Sequence, residues 1–240
     1  MNHIGTSGFS YPHWRTVLYP RGVPSGRWLE HYAQEFDTVE LNGSFYRWPR
    51  EENFAAYRDR VPDGFRLTVK APRGLTHARK LRRADEWIER IGRCWQVLGD
   101  RAGILLLQLP PDLERDDALL DDFLSRLPQG LRAAVEFRHS SWQQEQSFQV
   151  LRRHGAAYCV MSGAGLPEIP TLTADFAYVR LHGPDPGQLY VGSYSDRQLA
   201  ACAERIRGWN DAGVPAWVYF NNDAGGAAVE DARRLRRLLA

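Results

Sequence analysis

Short apolar or β-branched runs that end in a polar residue recur along the chain, and each is followed by residues whose apolar positions return with a helical period. Eight such runs are read as strands: residues 3–7, 38–42, 65–70, 104–109, 133–138, 157–162, 177–182 and 216–221. Helices are expected over 25–36, which opens on a cap-forming serine, and over 51–60, which follows Pro49. The stretch 85–98 places Trp87, Ile91, Trp95 and Leu98 on one face, and 117–127 carries Leu120, Phe123, Leu124 and Leu127. Further helices are expected over 142–153, after Ser141, and over 196–209, where Ser195 and Gln198 fit a capping box. A last helix covers 229–239. The sixth connection, 163–175, is short and rich in Gly and Pro, so little helix is expected there.

Strands alternating with helices imply a parallel sheet. Eight strands in 240 residues, with no break in composition, predict an α/β fold, a single TIM-type (β/α)8 barrel in one domain over 1–240. An open doubly wound sheet is the alternative. No linker, low-complexity segment or repeat beyond the β/α unit interrupts the pattern.

Composition adds little to this and removes several classes. The 43% hydrophobic and 25% charged content is that of a globular chain and argues against disorder. A net charge of +2 decides nothing about nucleic acid, which depends on local clustering. Cys94, Cys159 and Cys202 are odd in number and in no metal or redox spacing, so they are expected to be reduced core residues of a cytoplasmic protein. No leader is expected, since the chain opens on a strand-like segment. No apolar run approaches the roughly 18 residues of a membrane span.

The candidate chemistry sits at the strand ends. Polar residues fall where side chains of an apolar strand would point inward: Glu40 and Asn42, Thr68 and Lys70, Gln108, Glu136 and Arg138, Ser162, Arg180 and His182, then Asn221, Asn222 and Asp223. Barrels of this class carry their active sites at these C-terminal ends. The alternative is a buried ion-pair network in which Glu40, Lys70, Glu136, Arg138 and Arg180 neutralise one another. Lys70, Arg138 and Arg180 point to a small anionic ligand, because carboxylate and phosphate match the guanidinium fork. Glycine-rich stretches at 183–192 and 222–226, each before a helix, support an anion site. Glu40 and Glu136 are the paired carboxylates for acid–base work; Lys70 is a candidate base or Schiff-base nucleophile, or simply their ion-pair partner.

No cofactor is predicted, and no metal site. A divalent ion on Glu40, Glu136, His182 and Asp223 is the alternative, opposed by three nearby cations. The first loop, with Ser7, Tyr11, His13 and Trp14, joins Phe45, Tyr46, Trp48 and Trp142 as a stacking wall for a base or sugar, or merely as a roof. The cation-rich run 73–93 reads as a solvated face, or as a track for a phosphate backbone.

Taken in order, GTSGFSYPHW (5–14), VELNGSFYRWP (39–49), VKAP (69–72), QLPP (108–111), VEFRHSSW (135–142), VRLHG (179–183) and YFNND (219–223) resemble the domain of unknown function 72 (YecE-like) family. The resemblance spans essentially the whole chain and implies a TIM barrel. It implies no reaction. Its fold similarity to apurinic endonucleases and xylose-isomerase-type enzymes suggests nucleic-acid binding or repair only by analogy, and the histidine-rich metal cluster of those endonucleases is not visible here.

The reading adopted is an enzyme of hydrolase or isomerase type on a small anionic, phosphorylated or nucleotide-like, substrate. Glu40, Lys70 and Glu136 are its catalytic candidates. Ser7, Tyr11, Asn42, Tyr46, Gln108, Arg138, Trp142, Arg180, His182, Asn221, Asn222 and Asp223 are its binding candidates. A nucleic-acid partner and a non-catalytic ligand binder are the alternatives; no membrane partner is expected, and oligomeric state is not legible.

Overall fold

The computed structural model describes residues 1–163 and 165–240, so Ala164, in the sixth connection, lies outside the described residues. In chain order the elements are β1 (His3–Thr6), α1 (Trp28–Glu35), β2 (Thr38–Leu41), α2 (Gly43–Tyr46), α3 (Glu51–Asp59) and β3 (Arg66–Lys70). A one-turn π-helix (Gly74–Ala78) precedes α4 (Asp85–Leu98), β4 (Ala102–Gln108), α5 (Asp117–Ser125), β5 (Ala133–Glu136) and α6 (Glu145–Arg153). The chain ends with β6 (Ala157–Ser162), β7 (Ala177–Leu181), α7 (Asp196–Asp211), β8 (Ala216–Phe220) and α8 (Ala227–Leu239). The strands follow the order β1-β8-β7-β6-β5-β4-β3-β2, and the fold is α/β, a TIM-type (β/α)8 barrel. No helix among the described residues is long and apolar enough to cross a membrane.

All eight expected strands form within two residues of their expected bounds. The Ser195–Gln198 capping box forms at α7. Two helices start later than their sequence suggests. Ser25 opens a 3-10 turn without capping by its side chain, and α1 begins at Trp28. Helix α6 begins at Glu145 because Trp142 is held elsewhere: its indole stacks on Phe137 at 4.8 Å and its N–H donates to the Leu113 carbonyl (2.7 Å).

By internal contacts the chain divides into two compact units: Met1–Glu40 with Val160–Pro170 and Phe176–Ala240, and Leu41–Cys159 with Thr171–Asp175. In the first, β1 runs parallel to β8 and β8 to β7. At β1 and β2, the two ends of the strand order, a bridge joins Ser7 to Glu40, and Gly8 N–H donates to the Glu40 carbonyl (2.7 Å). One residue earlier on β1 a side chain also links the two strands. The Tyr32 hydroxyl accepts from Thr6 N–H (2.9 Å) and donates to the Thr38 carbonyl (3.0 Å), so two buried backbone groups are satisfied through one phenol.

In the second unit β3, β4, β5 and the start of β6 are parallel neighbours. The β3–β4 register slips between Leu67 and Val69. Thr68 Oγ1 takes the Ile104 N–H (3.2 Å) at the irregularity, and Gly103 leaves room for that hydroxyl, which an added Cβ would meet at 2.7 Å. Beyond it Lys70 is level with Leu106, and Gln108 with Glu136. The slip therefore sets which strand-end side chains share a level.

Candidate functional site

In the first unit the polar strand ends form a buried cluster. Ser7, Glu40, Tyr178 and Arg180 are each at most 1% exposed. Glu40 Oε1 accepts from Arg180 Nη2 (2.7 Å) and from the Ser7 hydroxyl, while Oε2 accepts from the Tyr178 phenol (2.5 Å). Arg180 also reaches Ser7 Oγ (3.1 Å). Burial, then the Glu40 charge, raises the Tyr178 pKa well above its ordinary value, which keeps the phenol a donor. Both carboxylate oxygens are thus engaged by donors that the fold supplies.

Around this cluster the remaining candidates divide by role. Asn221 Nδ2 lies within hydrogen-bond distance of Nδ1 of the buried His182 (3.1 Å). Tyr11 donates to the Ser7 carbonyl (2.8 Å). Asn222 is fully buried and donates to the Gly192 carbonyl (2.9 Å) and to Asp231 (2.8 Å). Asp231 also takes the Tyr194 N–H and the Ser193 hydroxyl, so Asn222 pins the loop after β7 onto α8.

Asp223 lies against His13, whose Nε2 sits 3.2 Å from Oδ2. Burial raises the Asp223 pKa, and His13 and Trp14 only partly offset this. A carboxyl that titrates higher folded than unfolded adds stability below its unfolded pKa and loses it as pH rises through the folded value. Asp223→Asn is therefore expected to raise the unfolding midpoint at pH 7 to 8, with the gain vanishing below about pH 4, where both forms are neutral. Unfolding midpoints of the two proteins across pH 3.5 to 8 check this, and a pH-independent difference would refute it.

The second unit is built differently. Glu136 is fully buried; Arg138 Nε donates to its Oε1, and Cys159 Sγ lies 3.7 Å from Oε2. Lys70 extends from the end of β3 over the Phe45 ring, with Nζ 4.3 Å from its centroid. His77, on the π-helical turn, meets the same ring edge-on at 5.0 Å, and its Nδ1 is 2.9 Å from Thr76 Oγ1. Burial lowers the His77 pKa, and the charges of Lys70, Arg73 and Arg138 lower it further, while Asp112 pulls the other way. Arg73 is exposed, and its guanidinium has no ion-pair partner among the described residues. Gln108, at the end of β4, and Asn42, just before α2, are part-exposed. Trp142 is fully buried.

Most of the cationic run 73–93 is matched by carboxylates. Arg79 and Arg90 pair with Glu86, Lys80 with Asp112, Arg82 with Asp116, and Arg93 with Glu51 and Glu89. That is the pattern of a solvated, ion-paired face. Arg73 and His77 are the residues that sequence reasoning passed over. Arg73 was hidden in the charge run, and the π-helical turn that presents His77 leaves no hydrophobic period to read. Among the described residues no three His, Cys, Asp or Glu side chains converge as a metal ion would require.

Comparison with known proteins gives a consistent relationship. The family model described as "Protein of unknown function DUF72" matches residues 3–240. The UPF0759 protein YunF of Bacillus subtilis is 23% identical over 270 residues, covering 100% of this chain and 95% of that protein. The UPF0759 protein YecE of Escherichia coli is 33% identical over 140 residues, 58% of this chain and 49% of that protein. A crystal structure of a DUF72 family protein from Thermotoga maritima superposes with a TM-score of 0.88 at 30% identity, covering 100% of this chain and 99% of that one. One from Enterococcus faecalis gives 0.84 at 21%, covering 100% and 95%.

Proposed function

The chain belongs to the DUF72 family, and we propose that it is an enzyme that binds a small phosphorylated anion around Lys70, Arg73, His77 and Arg138. The observation that carries this is geometric: Lys70 and the part-exposed His77 meet on one ring, Phe45, and the charges of Arg73 and Arg138 act on the same histidine, whose pKa is lowered first by burial and then by these cations. Glu136 fixes Arg138 in place, and phosphate offers several acceptor oxygens to a group of cationic donors of this kind.

A chemical role follows for His77. With its pKa lowered it is neutral at pH 7, part-exposed and beside the bound anion, so it is the group placed to take up a proton there. Glu136 is better suited to fixing Arg138 than to meeting a substrate, since it is fully buried. Hydrolysis or isomerisation of a phosphorylated sugar fits these groups.

The test is a histidine titration by NMR with and without inorganic phosphate. A bound anion offsets the three cations, so phosphate is expected to raise the His77 pKa and to bind more tightly as pH falls through that range. Arg73→Ala, an exposed change that spares the fold, is expected to weaken phosphate binding by roughly 10-fold to 100-fold, the worth of one charge-assisted hydrogen bond. Arg138→Ala should weaken it at least as much. A His77 pKa indifferent to phosphate, with no binding by calorimetry, would remove the premise.

A further inference from the structure

Building on that anion site, we infer that its ligand carries an aromatic base: the substrate class is a nucleoside phosphate, with Tyr46 as the surface on which the base stacks. Tyr46 is 83% exposed, an unusual state for a large ring that is not at a chain end. Its backbone is nonetheless firmly placed. In the same turn the Ser44 hydroxyl lies 2.6 Å from both the Leu41 and the Lys70 carbonyls, so α2 is tied to the ends of β2 and β3. Phe45 N–H donates to the Asn42 carbonyl (3.1 Å), and Arg47 N–H to that of Gly43 (3.2 Å).

The exposed ring is also wired to the anion site. Tyr46 packs edge-on against Phe45 at 5.1 Å; Phe45 carries Lys70 on its face and His77 at its edge. One part-exposed ring, Phe45, thus joins an exposed aromatic plate to a cation and a histidine. An inorganic phosphate or a sugar phosphate uses the cations alone. A ligand whose base is set one sugar away from its phosphate uses the plate as well, and stacking on an aromatic face is indifferent to which base it is.

The proposal is tested by calorimetric titration with AMP, ribose 5-phosphate and inorganic phosphate against wild type, Tyr46→Ala and Tyr46→Phe. AMP is expected to bind about 5-fold to 150-fold more tightly than ribose 5-phosphate, the range that base–aromatic stacking supports. Tyr46→Ala should abolish that difference, bringing AMP down to the affinity of ribose 5-phosphate for the same variant, while Tyr46→Phe keeps it. Equal affinities of AMP and ribose 5-phosphate, or an advantage untouched by Tyr46→Ala, overturn the base assignment and leave the anion site standing. Failure of all three ligands to bind overturns both. A single-stranded hexanucleotide that binds more tightly than AMP in a Tyr46-dependent way overturns the small-ligand assignment in favour of a strand.

Discussion

Replacing Arg180 by methionine is expected to destabilise the protein by about 3–5 kcal/mol, the cost of removing one partner from a buried ion pair. Arg180 is 1% exposed and Glu40 is 0% exposed, so the carboxylate left behind has neither solvent nor a cation. Ser7 and Tyr178 still donate to it, but two neutral hydroxyls do not replace a guanidinium. For a domain of this size the loss corresponds to a fall in Tm of roughly 6–20 °C. The double variant Glu40→Gln, Arg180→Met should recover much of it, because no charge is left buried and the amide can accept from one of the two hydroxyls and donate to the oxygen of the other. Scanning calorimetry of the single and double variants decides the matter. A single variant within about 1 kcal/mol of wild type would mean that the cluster contributes nothing to the fold, which is at odds with its burial.

Gly5→Ala is expected to be comparably damaging, at about 3 kcal/mol or more. The reason is space rather than backbone conformation. A Cβ at residue 5 would lie 2.2 Å from the Thr38 carbonyl oxygen and 2.8 Å from the Tyr32 hydroxyl. The first contact is with backbone, which cannot step aside without parting β1 from β2. The second is with the phenol that bridges Thr6 and Thr38, so the methyl also threatens two buried hydrogen bonds. Tyr32→Phe separates these effects. It removes the bridge but adds no clash, and should cost less than Gly5→Ala by denaturant unfolding. An alanine variant as stable as wild type would show that the strands can separate freely at this edge.

The alternation of strand and helix was legible along the chain because each element reports its own face locally. The α4 period and the Ser195–Gln198 box needed no partner to be recognised. The strand-end polar residues were legible for the same reason: a charge inside an apolar run has few places to go. Their roles were not. Glu40 and Glu136 look alike in sequence, yet one is held by three donors from Ser7, Tyr178 and Arg180, and the other by Arg138 with Cys159 alongside. Trp142 reads as a binding ring until its indole is found stacked on Phe137 and bonded to Leu113.

By itself, then, the sequence determined the order of elements, the barrel class and the set of polar residues carried to the strand ends, since these depend on periodicity and on the cost of burying charge. Tertiary structure decided the rest. Only packing selected which charges are sealed in pairs and which stay near solvent. Only the β3–β4 slip set the level of Lys70, and only the π-helical turn brought His77 to Phe45. Each of these depends on contacts between residues far apart in the chain, or on a backbone irregularity without a period. No local pattern encodes them.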